Sequence, residues 1–240
     1  MKKIILAVSL VGALSSAAYA QNNDKTGFYV TGKIGTSITH MSKQKAEYID
    51  GDDAADNESI SKGSKNKSVF AGGVAFGYNF SQAFGLPIRA ELDFTARGKA
   101  KANETFNIPG EPETIGVSNQ LNINTVMANV YYDFTNESAF TPYVSTGIGY
   151  ANVKQTVKLN VNEAGGDTFN ASNSHRSNNF AWSVGAGVQY ALNSDLALDL
   201  SYRYVDAGKS KVSFREDNSS TTFKTRAKSH DIMLGITYNF

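Results

Sequence analysis

The residues able to do chemistry are few and scattered. The chain of 240 residues has no cysteine and three histidines, His40, His175 and His230. Without a thiol there is neither a cysteine nucleophile nor a soft-metal site. No motif joins a histidine to a serine and an acid in the manner of a hydrolytic triad. An acidic run, Asp50, Asp52, Asp53 and Asp56, offers the hard oxygens that calcium takes. It lacks the closing glutamate of a full calcium loop, so it reads as a solvated tip. The expectation is a protein without enzymatic activity, metal or cofactor. A basic cluster remains: Lys209, Lys211, Arg215, Lys224, Arg226 and Lys228, set against Asp206, Glu216 and Asp217. Clusters of lysine and arginine attract polyanions such as heparin and speed their encounter.

A second set of charges is spaced by structure. Ile88, Ala90, Leu92, Phe94 and Ala96 alternate with Arg89, Glu91, Asp93, Thr95 and Arg97. A period of two is the strand signature. It recurs near residues 27–39, 69–80, 125–134, 143–153, 180–190, 196–204 and 230–240. Each of the eight segments is close to the 9–11 residues, roughly, that a tilted membrane-crossing strand needs. Alternation does not say which face looks inward, but the charges do. Lys33, Arg89, Glu91, Asp93, Asp133, Asp199, Arg203 and Asp231 read as mutual partners. In a narrow barrel they point inward and must pair, because buried unpaired charge is costly. Leu121 and Ile123 break the parity set by Val126 to Phe134. A bulge near Asn124 or a late-starting strand would each explain the slip.

The first residues read as an export signal. Lys2 and Lys3 precede an apolar run from Ile4 to Ala13, and Ala18-Tyr19-Ala20 fits a small-x-small cleavage site. Residues 1–20 are thus a signal peptide and residues 21–240 the mature chain. Taking two lysines from 23 basic residues leaves 21 against 22 acidic, net −1, which argues against a nucleic-acid partner. No later stretch is long enough for a spanning helix, so only a closed sheet can cross a membrane. Three connections are short, near 81–87, 135–142 and 191–195. Four are long, near 40–68, 97–124, 154–179 and 205–229. Transmembrane barrels place short turns in the periplasm and long loops outside. Phe106, Ile108, Phe169, Phe214 and Phe223 suggest that strands continue into those loops. Lys209 to Phe214 and Thr221 to Thr225 read as a hairpin. The fold class is all-β: an eight-stranded antiparallel up-and-down transmembrane β-barrel, its lumen filled by side chains.

Several motifs carry a family likeness. They are Gly27-Phe28-Tyr29-Val30-Thr31-Gly32-Lys33 followed by Gly35, Arg89-Ala90-Glu91-Leu92, and Thr141-Pro142-Tyr143-Val144 with Gly147 and Gly149. Trp182-Ser183-Val184-Gly185-Ala186-Gly187 and Asp199-Leu200-Ser201-Tyr202-Arg203-Tyr204 complete the set. The chain resembles the opacity-type outer-membrane barrels, and among them the small invasins and agglutinins of enteric bacteria. Phe240 matches the family's C-terminal aromatic, the signal read by the barrel-assembly machinery. The resemblance implies adhesion to host cells, epithelial invasion or serum resistance, often through glycosaminoglycans. The acid-rich first loop departs from a uniformly basic surface. The partners it implies are outer-membrane lipid and lipopolysaccharide, the assembly machinery, and a host polyanion or matrix protein, for a monomeric barrel. The alternative expectation is a structural, envelope-stabilising barrel or a narrow channel with no host ligand.

Overall fold

Strict alternation turns the chain into a wall with two unlike faces. The computed structural model describes residues 26–50, 58–62, 64–107, 114–162, 168–216 and 219–240. The expected signal peptide lies outside them. The described elements are β1 (Phe28–Asp50), β2 (Glu58–Lys62), β3 (Lys65–Asn79), α1 (Phe80–Phe84), β4 (Ile88–Arg97), β5 (Ala100–Asn107), β6 (Thr114–Asp133), β7 (Phe140–Asn162), β8 (Thr168–Ala191), β9 (Leu196–Glu216) and β10 (Ser219–Asn239). Eight of them are staves in the order β1-β3-β4-β6-β7-β8-β9-β10, all antiparallel to their neighbours. β10 pairs back onto β1 from Tyr29↔Asn239 to Asp50↔Ser219 and closes the ring. The short strands β2 and β5 pair with the far ends of β1 and β6. Closure leaves no continuous open edge along the staves, which is the condition for a sheet in hydrocarbon.

One end of the barrel carries the tight turns. Asn79 accepts from the Ser81 amide at 2.9 Å and caps α1, which Gly85 ends at φ 66°. Asn193 accepts from the amides of Asp195 and Leu196; such Asx turns replace a backbone turn at little strain. The chain termini meet here too, with the Thr26 amide donating to the Phe240 carbonyl at 2.9 Å.

The other end carries long hairpins. β7 and β8 stay paired from Phe140↔Tyr190 to Asn162↔Thr168, about twice the length a membrane crossing requires. Much of the sequence expected as loop is therefore hydrogen-bonded ladder. The hairpin read from Lys209 to Thr225 forms, with Ser213 opposite Thr222 and Phe214 opposite Thr221. The hairpin tips, including Asp52, Asp53 and Asp56 of the acidic run, lie outside the described residues; Asp50 ends β1. On the upper β8, from Asn170 to Asn179, both strand faces meet water, so alternation fades there while the ladder continues.

The slip expected near Asn124 is absent from that strand. β6 runs against β7 without a shift from Thr114↔Asn162 to Asp133↔Tyr143. The irregularity sits on the neighbouring stave, where Ala96 faces Asn124 but Ala100 faces Leu121. Leu121 and Ile123 point inward and are buried. Their parity is correct; the lumen at that level is apolar.

The outer wall is greasy, with Leu234 63% and Ile34 60% exposed. Rings of aromatics border this band. Phe28–Phe76, Tyr132–Phe134, Phe140–Tyr190 and Tyr238–Phe240 stand at the short-turn end. Trp182, Tyr204 and His230 pack together at the other. An apolar band between two aromatic girdles is the wall of a barrel facing lipid. Among the described residues, no helix is long and apolar enough to cross a membrane.

Candidate functional site

The lumen is filled in two storeys. From the short-turn end up to Arg97, the last residue of β4, it is ionic. Arg89 grips Asp133 with two bonds of 2.8 Å. Its guanidinium lies 4.6 Å from the ring centre of Tyr131 and 5.0 Å from that of Tyr143. Glu91 accepts from the Tyr131 hydroxyl at 2.8 Å and lies 3.5 Å from the Lys33 ammonium. Asp93 pairs with Lys33 and accepts from Arg203 at 3.1 Å. Arg97 holds Asp231 with bonds of 3.1 and 2.5 Å, and Arg203 stands 3.8 Å from the same carboxylate.

Seven of the eight charges read as interior partners thus meet in ion pairs. The eighth, Asp199, accepts from the Tyr143 hydroxyl at 2.9 Å instead. Sequence reading left Arg97 out of the network, although it shares the parity of Arg89, Glu91 and Asp93. It also left out Tyr29, Tyr131 and Tyr143, whose inward parity was the available signal. A cavity of about 30 Å³ lies between residues that include Lys33, Arg89, Tyr143 and Asp199, room for about one water.

Toward the long hairpins the lumen turns apolar. Met41, Leu121, Ile123 and Val153 are all at most 1% exposed and pack with five alanines, and Met127, opposite Asp93, joins this cluster to the ionic level. Val157 and Val212 are buried as well.

The basic cluster sits on the outer wall of the β9–β10 hairpin. Gly208, at φ 78°, lets β9 bulge there: Lys228 faces Asp206, while Arg226 faces Lys209. Lys209, Lys211 and Lys224 are exposed. Lys211 faces Lys224, which in turn faces Lys45 of β1, so three lysines occupy one row across three strands. The Lys228 ammonium lies 5.8 Å from the Tyr204 ring centre, at the aromatic girdle. Arg226 donates to the buried Asp206 at 2.6 Å. That hydrogen bond and the carboxylate's charge raise the Arg226 pKa above its ordinary value. Arg215 belongs to β9, but its side chain is not among those described. The cluster thus reaches from the girdle up the hairpin wall rather than gathering at a loop tip.

The histidines do not converge on a reaction centre. His230 shares a hydrogen bond of 2.7 Å with the Tyr202 hydroxyl, His40 pairs with Asn66, and His175 lies exposed on β8. Among the described residues no group of three histidine, aspartate or glutamate side chains is placed to hold a metal.

Comparison with known proteins agrees with this architecture. The family model described as the outer membrane protein beta-barrel domain matches residues 6–240. Outer membrane protein PagN of Salmonella typhimurium is 40% identical over 97% of this chain and 96% of its own. A candidate adhesin of Rickettsia canadensis is 26% identical over 88% of this chain and 86% of its own. Among solved structures, outer membrane protein OprG from Pseudomonas aeruginosa superposes with a TM-score of 0.54 at 16% identity. The match covers 90% of this chain and 97% of that one, and it concerns the barrel alone.

Proposed function

The chain belongs to the outer membrane protein beta-barrel family, and from that premise we propose that it attaches the bacterium to host cells through its long hairpins. In this reading the termini and short turns face the periplasm and the hairpins face outward. Phe240 then lies where the assembly machinery would read it. The ligand is a sulfated polyanion such as a glycosaminoglycan, or a matrix protein bearing acidic patches, and uptake into epithelial cells would follow from tight attachment. The process is binding and involves no catalysis.

One observation carries this reading: Lys209, Lys211, Lys224, Arg226 and Lys228 share the outward side of one hydrogen-bonded hairpin. A ladder fixes their spacing, so less conformational freedom is lost on binding than with a floppy loop. The adhesin name borne by the Rickettsia relative supports the same direction. The test replaces Lys209, Lys211, Arg215 and Lys224 with serine and measures attachment of expressing cells to immobilised heparin across a salt series. Attachment should fall and lose most of its salt dependence. Wild-type attachment by the variant overturns the reading.

The filled lumen favours a second reading over a channel. Ion pairs below and packed aliphatics above suit a barrel that stiffens the envelope without a host ligand. A deletion strain that adheres normally yet leaks dye would support it. Discrete openings in planar-bilayer recordings would instead establish the channel.

A further inference from the structure

The wall of the barrel is not sealed along its whole height. β3 and β4 pair from Asn79↔Arg89 to Ala71↔Arg97, and the Gly98 amide still donates to the Phe70 carbonyl at 2.8 Å. There the ladder between these staves stops. β5 continues the line of β4 along β6 after a register step, while β3 continues along β1 as far as Lys65. Among the described residues, β5 from Ala100 to Asn107 pairs with β6 alone, and β3 from Lys65 to Val69 pairs with β1 alone. The two strands part and leave a seam with an open edge on each side.

A side chain reports the same opening. Lys67 faces Thr39, which is buried toward the lumen. Lys67 shares that inward parity and is nevertheless exposed, because the wall beside it is open. The seam also lies clear of lipid. Ser68 faces Ile38, and Ile38 faces His230 of the aromatic girdle. From Lys67 to Lys65 the edge rises beyond that level, toward the long hairpins.

An open edge in water presents unpaired backbone donors and acceptors to another strand. Strand addition draws affinity from those backbone bonds and selectivity from alternate side chains. Lysines set the selectivity here. Lys67, Lys99 and Lys101 are exposed at the seam, and Glu104 is the one acid on β5. Lysines on an edge discourage a strand of like charge, so a second copy of this edge is repelled and an acidic strand is drawn in. Ala100 and Ala102 are buried and small, so the inner side of an added strand meets little bulk. The 8 residues of β5 offer about 27 Å of edge.

We propose that this seam is a strand-addition site for an extended acidic segment of a partner protein. The segment lies along β5 from Ala100 to Asn107, its backbone bonded to the open edge and its carboxylates against Lys67, Lys99 and Lys101. The site goes beyond the polyanion reading. It shares no residue with the β9–β10 cluster, and it requires a polypeptide backbone, which a glycosaminoglycan lacks.

The test uses the full chain in phosphatidylcholine nanodiscs and a fluorescein-labelled peptide of alternating glutamate and threonine. One control peptide carries lysine in place of glutamate. The other keeps the glutamates but is N-methylated at every residue, which removes its backbone donors and leaves its charge. Fluorescence anisotropy measures binding, and hydrogen exchange read by mass spectrometry locates it. The glutamate peptide should bind about tenfold more tightly than either control. It should slow exchange across residues 100–107 and leave residues 209–228 unchanged. Lys67→Glu with Lys101→Glu should weaken its binding about tenfold and strengthen that of the lysine peptide. Heat-shifted gel mobility checks that this variant folds, and the control peptides decide the matter on the wild-type barrel if it does not. Equal binding by the N-methylated peptide, slowed exchange confined to residues 209–228, or the same slowing of residues 100–107 by heparin would overturn the proposal. So would an edge already protected in the free barrel, by a second copy or by the chain itself. Absent peptide binding with intact heparin attachment defeats this proposal alone, and the reverse defeats only the polyanion reading.

Discussion

The two storeys of the lumen are built on the same inward-facing positions of the same strands, yet they solve the packing problem in opposite ways. Below, Arg89, Asp93, Arg97, Arg203 and Asp231 fill the space with paired charge and leave a cavity the size of a water. Above, Met41, Leu121, Ile123 and Val153 fill it as in the core of a soluble protein. The ionic storey is fixed by directional bonds, so each member depends on its partner. The apolar storey is fixed by volume, so each member depends on how well its neighbours can close a gap. Strand geometry therefore selects which residues face inward without selecting the chemistry that fills the interior.

That contrast can be broken by single changes. The largest effect is expected from Arg97→Met, which leaves the wholly buried Asp231 without its two strongest bonds. Removing one partner of a buried pair typically costs about 3–5 kcal/mol. Urea unfolding in detergent micelles should register the loss. Adding Asp231→Leu should recover much of it, since an apolar pair of similar volume is often as stable as the ionic one. If Arg97→Met unfolds like the wild type, the lower storey is hydrated and the contrast fails. In the upper storey Leu121→Ala should cost about 2–4 kcal/mol through the cavity it leaves. There no second substitution that merely removes charge can restore stability, and only added volume, such as Ala151→Leu, would do so. Recovery by a charge change would blur the two storeys into one.

How much of this was legible depended on where a residue stood relative to the membrane. Arg89, Glu91, Asp93, Asp133 and Arg203 alternate with greasy neighbours, and lipid outside makes that alternation strict. Arg97 carries the same pattern, but it sits where a connection was expected to begin, so its bond to Asp231 could not be assigned. Leu121 and Ile123 read as a slip because a charged lumen was expected at every level. The long hairpin arms were obscured for a related reason. Once both faces of the upper β8 meet water, as in the run from Asn170 to Asn179, no solvent contrast writes a period into the sequence. The ladder there is held by backbone bonds, which every residue but proline can donate. The basic cluster was visible as composition; its place on a hairpin wall required the register of β9 against β10, including the bulge at Gly208 that turns Lys209 and Lys211 outward.

A milder change sharpens the comparison at its lower boundary. Gly77→Ala puts a methyl group into the space of the Tyr29 ring, and Tyr29 donates to Glu91 at 3.3 Å. Overpacking of this kind costs about 1–3 kcal/mol. The penalty should shrink in a Tyr29→Phe background only if the hydroxyl, rather than the ring, is what must move. A penalty that persists there assigns the fit to the ring, and urea unfolding of the four-member cycle distinguishes the two.

The smallest effect on stability, and the control for all the others, comes from charge on the opposite face. Lys209→Ser with Lys211→Ser removes two exposed cations from the same barrel whose interior is predicted to fail on losing one. Exposed substitutions away from packing features stay within about 0.5 kcal/mol, and reducing like charge near Lys224 relieves some cross-strand repulsion. Urea midpoints should therefore match the wild type or rise slightly, while heparin attachment falls. Equal destabilisation by the outer pair and by Arg97→Met would mean that the barrel responds to total charge rather than to burial. Loss of binding at unchanged stability would divide the labour by face: inward cations hold the barrel together, and outward cations are left to meet a partner.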